Sequence, residues 1–254
     1  MPGPWLERAA FHALLPAIAW QGLRLRRSAL RAPPAAGPAH GSAGSGPPLG
    51  LLGLGDSIVA GVGIERTAHA LPGRTADALS RLGGWAVHWR AVGASGLRAR
   101  QVQALLAQVP AEERYDVVLV SAGVNDVTGI GSTRRWQRDL TRLLDAVHAA
   151  HPCALVLLAG LPPMDRFPLL PQPLRAAMGL RARTFDAIAR EVAATRAWVH
   201  HHPTRVDPLR DAFAADGFHP GAEACARWGE SLAQAALPRL GGPRSRSFPV
   251  AAGP

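Results

Sequence analysis

The stretch Tyr115-Asp116-Val117-Val118-Leu119-Val120-Ser121-Ala122-Gly123-Val124-Asn125-Asp126 carries the clearest signal of the architecture. Its first half is a short apolar run with no alternation, which suits a strand covered on both faces and therefore a parallel sheet. Its second half turns polar at once, so whatever the strand supports lies just beyond its carboxyl end. The same pattern recurs along the chain. Further strands are expected at Leu49–Gly55, Ala86–Val92, Ala154–Gly160 and Ala197–His200, beside Tyr115–Ala122. Amphipathic stretches at Thr67–Leu82, Leu97–Gln108, Thr133–Ala150, Leu174–Ala194 and Gly221–Ala236 read as helices between and after them. Strand–helix alternation implies right-handed βαβ units. The expected fold is a three-layer α/β/α sandwich on a central, mainly parallel five-stranded sheet.

Composition sets the outer bounds. The chain has 254 residues, 48% hydrophobic and 18% charged, enough to bury a sizeable core. Two cysteines, Cys153 and Cys225, exclude a disulfide scaffold and read as inert core residues. The net charge of +10 would suggest nucleic acid, but its location argues otherwise. Before Pro48 there are five arginines (8, 24, 26, 27 and 31) against Glu7, and after Pro238 three (239, 244 and 246) with no acid. Seven of the ten excess charges thus sit at the two ends, and no aromatic residues interleave with arginine as a single-strand binding face needs. No nucleic-acid partner is expected.

The ends also set the domain plan. Residues 1–48 read as an apolar then basic segment followed by a Pro/Gly-rich linker, 49–238 as the folded domain, and 239–254 as a basic flexible tail. The apolar run Ala9–Trp20 is too short to span a bilayer, and its arginines follow it, unlike those of a secretory leader. Two readings stay open for it: a helix packed on the body, or an interfacial helix placing Trp5, Leu14, Leu15, Ile18 and Trp20 among lipid headgroups, with Arg24, Arg26 and Arg27 favouring anionic lipid. Peripheral membrane association of a cytoplasmic chain is expected ahead of secretion. Because the chemistry lies downstream, a chain starting near Gly46 is expected to keep its activity.

In parallel sheets ligands bind beyond the strand carboxyl ends. Gly55-Asp56-Ser57-Ile58-Val59-Ala60-Gly61 follows the first strand, Gly93-Ala94-Ser95 the second, and Gly123-Val124-Asn125-Asp126 the third. Asp216-Gly217-Phe218-His219 precedes the last helix. Nucleophile, base, orienting acid and oxyanion donors are all present, which is the inventory of acyl transfer. Singly, each has a plain explanation: a helix cap for Ser57, a turn for Gly93, a loop-stabilising amide for Asn125, a surface His219. Together, at strand ends and in this order, they point to catalysis.

These four stretches resemble the blocks of the SGNH hydrolases, also called GDSL-type esterases and lipases, and the chain looks like an esterase-like bacterial member. The likeness runs from about Leu49 to Leu237. It departs before Gly93, where Arg90-Ala91-Val92 stands in place of an Asn common in the family. The resemblance implies a flavodoxin-like fold, no cofactor and no metal. It implies Ser57 as nucleophile, His219 as general base and Asp216 as its orienting partner, with an oxyanion hole of Ser57 N–H, Gly93 N–H and the Asn125 amide. A carboxylic ester of short to medium acyl chain, including a lysophospholipid or thioester, is the expected substrate. An O-acetylated sugar is the alternative within enzymes, and an inactive binding module the alternative outside them.

Competing motifs fail. Val59 breaks a G-x-S-x-G elbow, and Ile58 and Arg66 stand where dinucleotide fingerprints need glycine or alanine. His200-His201-His202 is not expected to bind metal, because consecutive strand residues face opposite sides. The apolar, four-proline loop Leu161–Pro171 reads either as a lid over core or as an acyl-chain wall, with Met164, Phe167, Leu169 and Leu170 as substrate contacts.

Overall fold

A computed structural model describes residues 16–25, 32–204 and 213–241. Six strands form one sheet: β1 (His40–Ala43), β2 (Pro48–Gly55), β3 (Ala86–Gly93), β4 (Val117–Ser121), β5 (Leu155–Ala159) and β6 (Val199–His202). Their spatial order is β1-β3-β2-β4-β5-β6, with β1 antiparallel to β3 and every other pair parallel. The helices are α1 (Leu71–Gly83), α2 (Ala99–Ala104), α3 (Val124–Thr128), α4 (Thr133–Ala150), α5 (Leu174–Ala194) and α6 (Ala222–Leu240).

Alternation along the strands divides the core in two. Leu51, Val117, Leu119, Leu157 and Ala159 face one side and pack with α1 and α6. Leu52, Leu54, Val118, Val120, Val156 and Leu158 face the other and pack with α2, α4 and α5. That is why the middle strands are apolar throughout. Gly53 allows α1 its close approach, since a Cβ there would stand 2.6 Å from Cγ of Pro72. Ser132 caps α4 by accepting the Arg135 N–H at 3.3 Å, and Gly84 closes α1 at φ 71°.

The sheet has six strands, not five. The extra one, β1, comes from the stretch read as linker. His40-Gly41-Ser42-Ala43 carries little apolar signal, yet it pairs with Val87–Arg90 and covers the edge of β3. Residues upstream of it are tied down as well. Ala35 N–H donates to Ala60 O at 3.2 Å, Gly63 N–H to Pro33 O at 3.0 Å, and Thr67 Oγ1 to Ala36 O at 3.0 Å. Hydrogen bonds between backbones, invisible to composition, thus turn this Pro/Gly-rich segment into a strap. Smaller differences follow similar causes. α6 runs through Pro238 to Leu240, so Arg239 is helical and not part of a tail. The helix expected at Leu97–Gln108 tightens to a 3-10 turn from Leu105. Residues 1–15, 26–31 and 242–254, including Trp5, Leu14 and Leu15, lie outside the described residues.

The chain moves from β2 to β3 on one side, then returns across β2 to reach β4. This reversal opens a crevice at the carboxyl ends of β2 and β4, where parallel sheets place their ligands.

Candidate active site

Ser57 sits in the turn that follows β2, 8% exposed. The turn is tight: Ala60 N–H donates to Asp56 O at 3.1 Å and Val62 N–H to Ser57 O at 2.9 Å. Gly61 takes φ 65°, and a Cβ on it would lie 2.8 Å from that of Ala35 in the strap. Ser57 caps no helix; it is held up at the rim of the sheet.

His219 Nε2 is 3.0 Å from Ser57 Oγ, and His219 Nδ1 is 2.6 Å from Asp216 Oδ2. The other Asp216 oxygen accepts the N–H groups of Phe218 at 2.9 Å and His219 at 3.0 Å. The carboxylate therefore builds the turn that aims the imidazole. Burial alone would raise the Asp216 carboxyl, but the His219 ring and the two N–H groups hold it below its usual range. A carboxylate fixing one imidazole nitrogen leaves the other to accept a hydroxyl proton.

Asn125 stands at the start of α3, after the Gly123 backbone turns at φ 118°. Its Nδ2 donates to Leu97 O at 2.9 Å, and the amide has a second N–H for a ligand. Asp126 accepts the Ala99 N–H at 3.1 Å. The pair thereby pins the loop after β3 to the turn after β4, and this loop begins at Gly93. Gly93 is in register with Gly55, and a Cβ on it would lie 2.8 Å from Cβ of Val59. The glycine lets the end of β3 close on the Ser57 turn, despite the departure in sequence before it.

One residue of this centre belongs to the block after the first strand but carried no assigned role in the sequence. Asp56 is 1% exposed, and its Oδ1 accepts the Ile58 N–H and the Ser121 hydroxyl, both at 3.1 Å. Burial pushes its carboxyl up to about 6, against those hydrogen bonds and the nearby His219, which pull it down. Its place beside the serine marked it as part of the motif but gave it no function of its own; burial is what sets it apart.

Ser57 and His219 open on a cavity of about 640 Å³. Leu161, Pro162, Phe167, Phe213 and Phe218 form apolar walls, with Phe167 edge-on to Phe213 and Phe218 at 5.5 and 5.2 Å between centroids. Of the four loop residues expected to contact substrate, Phe167 lines this cavity. Met164, Leu169 and Leu170 do not. The loop tightens into a 3-10 turn at Met164–Arg166 and turns Met164 and Leu170 down into the core, 0% and 3% exposed. Leu169 instead donates its N–H to Gly217 O at 3.4 Å, beside the Asp216 turn. The opposite wall, missed in the sequence, is one face of α6: Ala224, Arg227, Trp228 and Ser231. Their i, i+3, i+4, i+7 spacing was its only signal.

The histidine run divides across the sheet. His201 Nε2 meets Asp186 Oδ1 of α5 at 2.9 Å, while His202 Nε2 meets Ser231 Oγ of α6 at 2.9 Å, at the cavity wall. No group of three or more histidine, cysteine or acidic side chains suited to a metal occurs among the described residues. Cys225 is buried and its thiol is pushed up to about 12, whereas Cys153 is exposed in the turn before β5 and not in the core as expected.

A mainly parallel sheet flanked by helices, with a Ser57–His219–Asp216 hydrogen-bonded chain at the strand carboxyl ends, marks the chain as an α/β protein of the hydrolase kind. The chain belongs to the GDSL-like Lipase/Acylhydrolase family, whose profile matches residues 54–227, and it is an ester-hydrolysing enzyme. No curated protein sequence matches the chain. Solved structures share its fold. A carbohydrate esterase family 2 enzyme with a carbohydrate-binding domain from Corynascus thermopiles (Myceliophthora fergusii) is 17% identical at a TM-score of 0.60, over 76% of this chain and 66% of that one. TesA is 24% identical at 0.57, over 74% and 98%. The extracellular lipase of Streptomyces rimosus is 19% identical at 0.57, over 74% and 100%.

Proposed function

We propose that the protein cleaves carboxylic esters of short to medium acyl chain, including lysophospholipids or thioesters, through an acyl-enzyme on Ser57. The observation that carries this reading is the continuous chain Ser57 Oγ, His219, Asp216, at 3.0 and 2.6 Å, opening on a largely apolar cavity. As Oγ bonds to the carbonyl carbon, His219 Nε2 takes its proton, and the electron pair of the carbonyl moves onto oxygen. That oxyanion is held by the N–H groups of Ser57 and Gly93 and the Asn125 amide; each such donor contributes on the order of 3 kcal/mol. Asp216 stabilises the imidazolium. His219 then protonates the departing alcohol or thiol, and water, deprotonated by His219, releases the acid and restores Ser57.

A second reading, deacetylation of a sugar, draws on the polar groups in the cavity wall. Thr204, His202, Ser231 and Arg227 put polar side chains in that wall, with His202 and Ser231 joined to each other at 2.9 Å and Thr204 donating to Gly160 O at 2.6 Å. A panel of p-nitrophenyl esters from acetyl to palmitoyl, with an acetylated sugar alongside, separates the two. Turnover is expected to peak at intermediate chains and to vanish in Ser57→Ala. A preference for the acetylated sugar would reverse the order of the readings.

A further inference from the structure

The helical stretch 16–25 has two faces. Ile18, Gln21, Gly22 and Leu25 are partly covered. Ile18 and Leu25 pack against the core cluster that holds α5, and Gln21 donates to Gln172 O at 2.7 Å and accepts the Leu174 N–H at 3.1 Å. Trp20 and Leu23 stand on the other face, 60% and 56% exposed, with the Arg24 guanidinium 5.3 Å from the centre of the Trp20 ring. Packing on the body and presenting an apolar surface are therefore not alternatives; the two faces do one each.

The position of this helix matters. Gln172 follows the loop that carries Phe167 and Leu174 opens α5, beyond the carboxyl ends of the strands, as Ser57 does. Leu180 of α5 is 55% exposed. Ile130 is 77% exposed, in a turn that Arg181 ties to α5 through Val127 O at 3.4 Å and Gly131 O at 2.8 Å. Among the described residues five large apolar side chains are exposed: Trp20 and Leu23 on a helix that Gln21 ties to the start of α5, Leu180 on α5, Ile130 in the turn tied to Arg181, and Leu82 on α1. Exposed Arg134 and Arg135 open α4 four and five residues after Ile130, and Arg26 and Arg27 follow the 16–25 helix in sequence. Soluble proteins rarely gather apolar side chains this way without a partner. Tryptophan with adjoining arginine suits the headgroup boundary, where the ring leaves water and the cation meets phosphate.

We propose that this face docks on an anionic lipid bilayer. Trp20 and Leu23 enter the headgroup region, Leu180 and Ile130 add apolar surface, and Arg24, Arg134 and Arg135 supply the preference for negative charge. The proposal goes beyond ester hydrolysis and does not rest on it, since none of these residues lines the Ser57 cavity.

The test uses the full chain and sedimentation with phosphatidylcholine vesicles, with and without phosphatidylglycerol. The wild type is expected to bind the anionic vesicles about tenfold more tightly, and to be released as salt rises. Trp20→Glu/Leu23→Glu is expected to lose about tenfold in binding while its turnover of p-nitrophenyl butyrate stays unchanged. Ser57→Ala is expected to bind vesicles as the wild type does, which keeps this proposal apart from the hydrolytic one. Should the double variant unfold, Leu180→Glu alone reads the same surface, with a several-fold loss expected. Absence of anionic-vesicle binding by the wild type, or equal binding by a folded double variant, overturns the proposal. So does a dimer that dissociates when Trp20 is replaced, because the face then serves a second copy of the chain.

Discussion

Ser57 and His219, 162 residues apart in the chain, bring Oγ and Nε2 to 3.0 Å. The contact depends on two separate devices: the glycine-rich turn after β2, and the Asp216 carboxylate that folds the turn ahead of α6. Neither end is held by the other, so the hydrogen bond reports how well the sheet positions both.

Ser57→Ala is expected to lower ester turnover by several orders of magnitude with an unchanged melting temperature. Adding His219→Ala should then cost almost nothing more, because members of one catalytic unit are not additive. Steady-state rates of the two single variants and the double variant check this. A double variant far below the singles would mean that they act independently.

Asp216→Asn should cost both rate and acid-sensitive stability. A carboxylate held below its unfolded value stabilises the fold above that value, and the contribution disappears as pH falls through the folded one. Unfolding measured from pH 7 down to pH 3 should therefore show a steeper loss in the wild type than in the variant. Parallel curves would contradict the role of Asp216 in holding the turn.

Asp56→Asn works in the opposite direction. A carboxyl raised to about 6 favours the protonated form in the fold, so the wild type loses stability as pH climbs from the ordinary carboxylate value through 6. The neutral amide, still able to accept from Ile58 and Ser121, should be more stable than the wild type at pH 8 by about 1–3 kcal/mol, and about equal at pH 4. Denaturant midpoints at the two pH values decide it. Equal stability at pH 8 would show that the charge is accommodated.

Gly93→Ala should damage the site through shape alone. Its Cβ would meet Cβ of Val59 at 2.8 Å and the Ala60 nitrogen at 2.9 Å, so the Ser57 turn and the end of β3 must separate. Asn125→Ala, by contrast, removes a donor and the tie to Leu97 O, with an expected loss of about 10²–10³ in kcat. Both are read against melting temperature: Gly93→Ala should lower it, and Asn125→Ala should move kcat more than stability.

Deletion of residues 1–45 is expected to abolish activity on a soluble ester and to promote aggregation. It removes β1, baring the edge of β3, and with it the Pro33–Ala36 strap on the turn of Ser57. A truncated chain with native turnover and a native melting temperature would restore the linker reading of that segment.

The layer plan was legible in residue order, and so were the residues that the fold gathers at the strand ends. Val117–Val120 and Leu155–Leu158 had to be covered on both faces, and Ser57, Asn125, Asp216 and His219 stood where such a sheet places its ligands. These signals are local, carried by periodicity and by residue type at strand ends. The features that residue order did not carry depend on partners distant in the chain. β1 is held by backbone hydrogen bonds to β3 that any polar stretch could form, so nothing in His40–Ala43 announces it. Met164 and Leu170 are as apolar as Phe167, and only the path of the loop sends them into the core while Phe167 meets the cavity. The proton affinity of Asp56 follows from how completely the sheet and Ser121 enclose it, a property of packing that residue order does not carry.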